Sequence, residues 1–228
     1  MISSLNPRKS PSQIKSQDNI DLLFDAKNKG NHPKPENYWP NNLTSVLIKI
    51  LECIVNDSIL KNLTTNKILS PKQHGFQSGK SIETNLLESY KEITDLIDSR
   101  HLVDLLLLDF AKAFDKVPNS QLHSKISAIG INQAVVDWLM NFLTKCKQKD
   151  CSFATDGKPI YSDEAKVMSR VLQGTMLGPT LFLIYINDIF NHIDNSMHLA
   201  SDDAKLFSIA CPQSLQCNID ELQVWTQD

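Results

Sequence analysis

The run Leu102-Val-Asp-Leu-Leu-Leu-Leu-Asp109 restricts the fold more than any other segment. It is short, apolar and bounded by polar residues, the pattern of a strand buried on both faces, and it ends in an acid. Segments of helical spacing flank it. Upstream, Val46, Leu47, Ile50, Leu51, Ile54, Val55 and Ile59 predict an amphipathic helix over 43–62, and Leu86, Leu87, Tyr90, Ile93 and Ile97 predict another over 81–98. Downstream, helices fit 119–129, closed by Gly130, and 132–146, and strand-like pieces fall at 151–155 and 160–168. A further helix starts at Gly178-Pro179, with proline at a tolerated first-turn position. Strands at 197–200 and 205–209 join across Ser201-Asp202-Asp203-Ala204, and a last helix covers 213–226. This order predicts an α+β fold, a sheet with helices packed on one face, related to the split βαβ unit.

Residues 1–42 are polar and broken by Pro7, Pro11, Pro33, Pro35 and Pro40, which suits a flexible lead-in and an irregular loop. A chain of 228 residues can bury a core, and the 41% hydrophobic share is close to globular. The longest apolar run, Leu181–Ile186, is far short of the roughly 20 residues of a membrane span. The first residues lack the apolar core of a secretory signal, so an intracellular, membrane-free protein is expected. Five cysteines without a C-x-x-C pair predict reduced thiols and supply no cysteine frame for zinc.

The net charge is −3; residues 1–100 hold 13 basic and 11 acidic side chains, residues 101–228 hold 10 and 15. Such a balance argues against a strongly basic nucleic-acid surface. Only Arg8, Arg100 and Arg170 offer the planar fork that suits phosphate.

Three segments carry unusual polar residues: Asp109-Phe-Ala-Lys-Ala-Phe-Asp115, Arg170-Val-Leu-Gln-Gly-Thr-Met-Leu-Gly-Pro179, and Ser201-Asp202-Asp203. Singly, each has an ordinary reading. An acid at a strand end can be a solvated cap, and an Asp-Asp pair suits a tight turn, although adjacent carboxylates repel unless a cation lies between them.

Together and in order, the three segments resemble the palm of reverse transcriptases of non-LTR retrotransposons, the LINE and jockey type. The family pattern D-F-x-K-A-F-D stands complete at Asp109 to Asp115, followed by Val117-Pro118. Its Q-G-S-x-L-G-P-x-L-F-x-x-Y-I-N-D is matched from Gln173 to Asp188, and F-A-D-D-x-K-L from about Ala200 to Leu206. Upstream, Asn37 to Val46 resembles N-Y-R-P-I-S-L-T-S-V, and Gln73 to Ser81 resembles Q-H-G-F-R-x-G-R-S.

The resemblance implies an α+β right-hand polymerase fold of fingers and palm, an antiparallel palm sheet backed by helices, with the thumb missing. Residues 1–22 would be a flexible lead-in, 23–100 fingers-like and 101–228 palm-like. It implies RNA-templated DNA synthesis on an RNA template and a DNA primer from deoxynucleoside triphosphates. Two Mg²⁺ ions, with Mn²⁺ as an alternative, would be held by Asp109, Asp202 and Asp203. Such chemistry needs two ions roughly 3.5–4 Å apart, and hard cations take carboxylate oxygens. Phe114 would exclude a 2′-hydroxyl, or be an ordinary core phenylalanine. Asp115 would line the sugar pocket or hold structure. Gln173 and Gly174 would shape the nucleotide pocket, and Lys80 would meet the triphosphate or template, or be a solvated charge.

Departures from the pattern fall on charge and backbone shape: Gln77, Trp39 and Lys80 replace arginines, Leu172 a proline, Arg170 a glycine, and Ala200-Ser201 stands for Phe-Ala. With an endonuclease and a thumb expected outside the likeness, a shortened and weakened copy is the first reading. The alternative is a non-catalytic remnant that at most binds nucleic acid or a partner protein.

Overall fold

The computed structural model of the chain describes residues 19–26, 38–43, 45–145, 147–153, 159–163, 165, 166, 171 and 174–226. It is α+β, and it divides into two compact units that interleave along the chain. One comprises Met1–Leu60 and Phe114–Pro179, the other Lys61–Ala113 and Thr180–Asp228.

In the first unit, β1 (Asn19–Ala26) pairs antiparallel with β2 (Tyr38–Leu43) and parallel with β4 (Lys147–Phe153). β4 also pairs antiparallel with β5 (Pro159–Tyr161) and β6 (Ala165–Lys166). The first forty residues therefore supply two strands where their composition predicts irregular loop. Pro40 lies on β2 opposite Phe24, and β2 is an edge of the sheet. An edge strand tolerates a residue without an N–H. Helices α3 (Asn119–Ala128) and α4 (Gln133–Lys145) follow the predicted spans and pack together. The turn between them contains Gly130 at φ +74, a left-handed conformation that glycine adopts without steric cost. Leu122, Ile126, Val136, Leu139 and Leu143 are buried between and around them.

Helix α1 (Val46–Thr65) forms close to its predicted span but not with its predicted orientation. Glu52, Asn56, Ile59 and Leu63 are its buried residues, while Val46, Leu47, Ile50 and Ile54 are exposed. The reason is polar: Glu52 Oε2 accepts the Met176 backbone N–H at 2.7 Å, so the carboxylate side faces inward.

The second unit is built on a three-stranded antiparallel sheet in the order β3-β8-β7, from β3 (Val103–Asp109), β7 (Ser196–Ala200) and β8 (Asp203–Ile209). Register pairs Leu106 with Leu206, Leu108 with Ala204, and Leu199 with Ala204. Side chains alternate across a sheet, so these residues share one face. Leu107, Asp109, Lys205, Asp203, His198 and Ala200 share the other. β3 is an edge strand rather than one buried on both faces, and Leu105 and Leu107 are exposed. Helix α2 (Ile82–Asp98) begins with a capping box between Ser81 and Thr84 and packs against all three strands. Helix α5 (Gly178–Ile186) runs into a 3-10 turn, Asn187–His192, and α6 (Pro212–Trp225) packs on that turn. Trp225 fixes the packing: its indole N–H donates to Asp188 Oδ1 at 3.1 Å, with Tyr185 and Phe110 against the ring. No described helix is long and apolar enough to cross a membrane.

Candidate active site

The site is an end of the three-stranded sheet. β7 and β8 are joined by the two residues Ser201 and Asp202, with Ala200 paired to Asp203. Asp203 lies directly opposite Asp109, the last residue of β3. Paired residues of antiparallel strands bring their Cβ atoms to within about 4.5–5.5 Å of each other. Asp109 and Asp203 therefore project side by side on one face, and Asp202 stands in the adjoining turn. Burial, then the negative charges of Asp202 and Asp109, push the Asp203 carboxyl above its ordinary pKa, against a smaller opposing pull from Lys205.

The turn that carries Asp202 is strained. Ser201 adopts φ +66, a left-handed conformation uncommon for a residue with a Cβ. Gln73 holds it in place. Its buried carboxamide accepts the Ser201 N–H at 3.0 Å and donates to the Ser201 carbonyl at 3.1 Å, and it also accepts the Gly75 N–H at 2.7 Å. The 72–74 segment lies along β7 as a short extra strand: His74 N–H donates to Leu199 O at 2.7 Å and Leu199 N–H to Lys72 O at 3.0 Å. Gly75 allows this approach, because a Cβ there would overlap the Ser201 backbone. From α2, Asn85 donates to Leu199 O at 3.1 Å and accepts Lys205 Nζ at 2.7 Å. Asn187 anchors the start of the same loop, accepting Ser70 N–H at 2.8 Å and donating to Ile68 O at 2.9 Å.

Of the eight predicted site residues, Asp109, Asp202 and Asp203 come together. Lys80 is committed elsewhere, its ammonium donating to the Pro71 carbonyl and, at 3.0 Å, to the Gln73 carbonyl. Burial lowers its pKa, with Glu88 opposing. Phe114 is half-buried in the turn after β3, and its carbonyl accepts the Val171 N–H at 2.9 Å. Asp115 is half-buried, and no hydrogen bond reaches its Oδ1 among the described residues. Gly174 adopts φ +81 ahead of α5, where Thr175 Oγ1 accepts the Gly178 N–H. Gln173, Arg170 and Leu172 lie outside the described residues. Gln73, Gly75 and Asn85 were not singled out as site residues; for Gln73 and Gly75 the signal available was their place in the block Gln73 to Ser81, whose partner turn lies over a hundred residues away, while Asn85 lies on α2 outside that block.

This arrangement defines a class: an α+β domain whose sheet end gathers three carboxylates on a short hairpin and its neighbouring strand. The structure is similar to apo telomerase from Candida Tropicalis truncated from the C-terminal domain, with TM-score 0.64 at 12% identity over 94% of this chain and 49% of that one. It is likewise similar to telomerase from Candida albicans in complex with a TWJ fragment of telomeric RNA, with TM-score 0.61 at 10% identity over 95% and 41%. Residues 27–228 match the family described as reverse transcriptase (RNA-dependent DNA polymerase), and the chain belongs to that family. Among curated proteins it is 26% identical over 206 residues to the probable RNA-directed DNA polymerase from transposon BS of Drosophila melanogaster, covering 84% of this chain and 22% of the relative. It is 23% identical over 207 residues to the RNA-directed DNA polymerase from mobile element jockey of the same species, covering 85% and 22%. The chain thus spans about a fifth of the length of these relatives, which belong to the non-LTR class.

Proposed function

We propose that this chain is the fingers-and-palm part of an RNA-templated DNA polymerase working by two-metal nucleotidyl transfer, with Asp109, Asp202 and Asp203 as metal ligands. The observation that carries the reading is the strand register that sets Asp109 opposite Asp203, with Asp202 in the preceding turn. Three hard oxygen donors suit Mg²⁺; the Asp203 pKa is raised by burial first and by the charges of Asp202 and Asp109 next, and a divalent cation relieves the second of these. Bound Mg²⁺ supplies activation of the primer 3′-hydroxyl and neutralisation of triphosphate charge.

The chain's own residues then position these ligands. Gln73, Gly75 and Asn85 hold the hairpin so that little reorganisation accompanies ion binding. By the same reading Phe114, five residues beyond Asp109, would exclude a 2′-hydroxyl by volume, and Asp115 would serve the same sugar. Gly174, which has no side chain and adopts φ +81, and Gln173 would serve nucleotide recognition. Lys80 acts indirectly, by fixing the carbonyls of Pro71 and Gln73.

Primer extension on an RNA template with deoxynucleotides and Mg²⁺ tests the reading. The expected result is extension by the wild-type chain and none by Asp202→Ala. Equal signals from the two overturn it, and hybrid binding without extension favours a non-catalytic, nucleic-acid-binding remnant.

A further inference from the structure

A second group of ligand-type side chains lies deeper against the same sheet. His74 on the loop before α2, Glu88 in α2 and His198 in β7 each offer one donor atom, and the three atoms lie within 4.8 Å of one another. Both imidazoles are fully buried, whereas Glu88 is 54% exposed. The rings stack with centroids 6.4 Å apart. His74 Nδ1 meets Thr84 Oγ1 at 2.8 Å, which directs Nε2 toward Glu88 Oε2 at 3.1 Å. A ring nitrogen oriented by a second polar group is the usual arrangement around a metal-binding histidine.

His198 presents the stronger anomaly. Its Nε2 lies 3.3 Å from Glu92 Oε1 and 3.1 Å from Lys72 Nζ, while its buried Nδ1 has no hydrogen-bond partner among the described residues. Burial and Lys72 lower its pKa, against Glu92 and Glu88. Lys72 also pairs with Glu92, and Lys80 carries its charge near Glu88.

The geometry points to a binding site for a zinc-class divalent cation, ligated by His74, His198 and Glu88, with Glu92 as a fourth donor once Lys72 is displaced. Imidazole nitrogens with carboxylate oxygens suit zinc, whereas Mg²⁺ prefers oxygen alone. The ion would join the loop carrying Gln73, helix α2 and strand β7, the three pieces that hold the Ser201 turn. The donor set is separate from the three aspartates, so this site stands or falls independently of the polymerase reading.

Co²⁺ titrated into the whole chain in excess Mg²⁺ tests it through the visible ligand-field absorption of a low-coordinate cobalt ion. The expected result is one such ion per chain, retained in Asp202→Asn and lost in His74→Gln and His198→Gln. Lys72→Met should tighten binding roughly tenfold by removing the competing charge. Glu88 is half exposed, so Glu88→Gln should fold and bind at least about tenfold more weakly even where a histidine variant does not fold. No signal in the wild type, a thiolate-to-cobalt charge-transfer band, or binding unchanged in Glu88→Gln overturns the proposal.

Discussion

The two ends of one sheet face treat charge in opposite ways. At the hairpin end, Asp109, Asp202 and Asp203 repel one another, and Lys205 offsets only part of that repulsion. At the deeper end, Lys72 lies against Glu92 and His198, and Glu88 against His74. Lys205 stands between the two, paired with His198 across the strands and two residues from Asp203. At the deeper end each acid already has a protein cation or a buried ring beside it. The hairpin end carries a charge imbalance that the rest of the sheet must hold in place, as a site built to receive cations requires.

Substitution of an acid should break this contrast most severely. Asp202→Asn is expected to lower primer extension at least about a hundredfold, as loss of a preorganised electrostatic group does, while raising thermal stability in Mg²⁺-free buffer by relieving repulsion. A variant less stable than wild type without Mg²⁺ would contradict the imbalance. Gly75→Ala comes next: the added methyl meets the Ser201 backbone, and a cost of about 1–3 kcal/mol is expected in denaturant unfolding. Gln73→Leu leaves the Ser201 amide and carbonyl without their side-chain partner, for a loss of about 1–3 kcal/mol with Mg²⁺-dependent extension reduced alongside. An unchanged extension rate would show that the clamp supports only the fold.

The smallest effects are pH dependences of opposite sign. The native pKa of Asp203 is raised, so the folded state binds its proton more tightly than the unfolded chain does. Its contribution to stability therefore falls as pH rises from 3.8 through the raised native value, and Asp203→Asn should remove that slope. The native pKa of His198 is lowered, so the unfolded chain takes up a proton first as pH falls below 6.5. Stability is then lost from 6.5 down through the lowered native value, and His198→Gln should abolish that loss. Thermal unfolding between pH 3 and 8 reads both, and slopes of the same sign would refute the contrast.

The hairpin was legible because everything it needs is local. Alternating apolar residues on either side of Ser201-Asp202 predict two short strands, and an apolar run ending in Asp109 predicts the third. Ser81 before a periodic segment predicts the start of α2 within a residue. The orientation of α1 was not legible, since Val46, Leu47, Ile50, Leu51 and Ile54 are exposed while its buried face carries Glu52, bonded to the Met176 N–H, and Asn56 beside Ile59 and Leu63. β1 and β2 were hidden by their prolines and polar residues, and become strands through pairing with each other and with β4 more than a hundred residues on. Lys80 was matched to a charged family position, but the loop around it gives its ammonium two carbonyls instead.

The sequence by itself determined the helices, the strands around the acids, which residues turn the chain, and which acids belong to the pattern, because periodicity, capping and turn chemistry act over a few residues. Tertiary structure alone decided that Asp109 faces Asp203, that Gln73 closes on Ser201, and that two buried histidines meet one carboxylate. Those outcomes depend on strand register and on the close approach allowed by Gly75, and register is set by whole surfaces packing together rather than by any residue's neighbours in the chain.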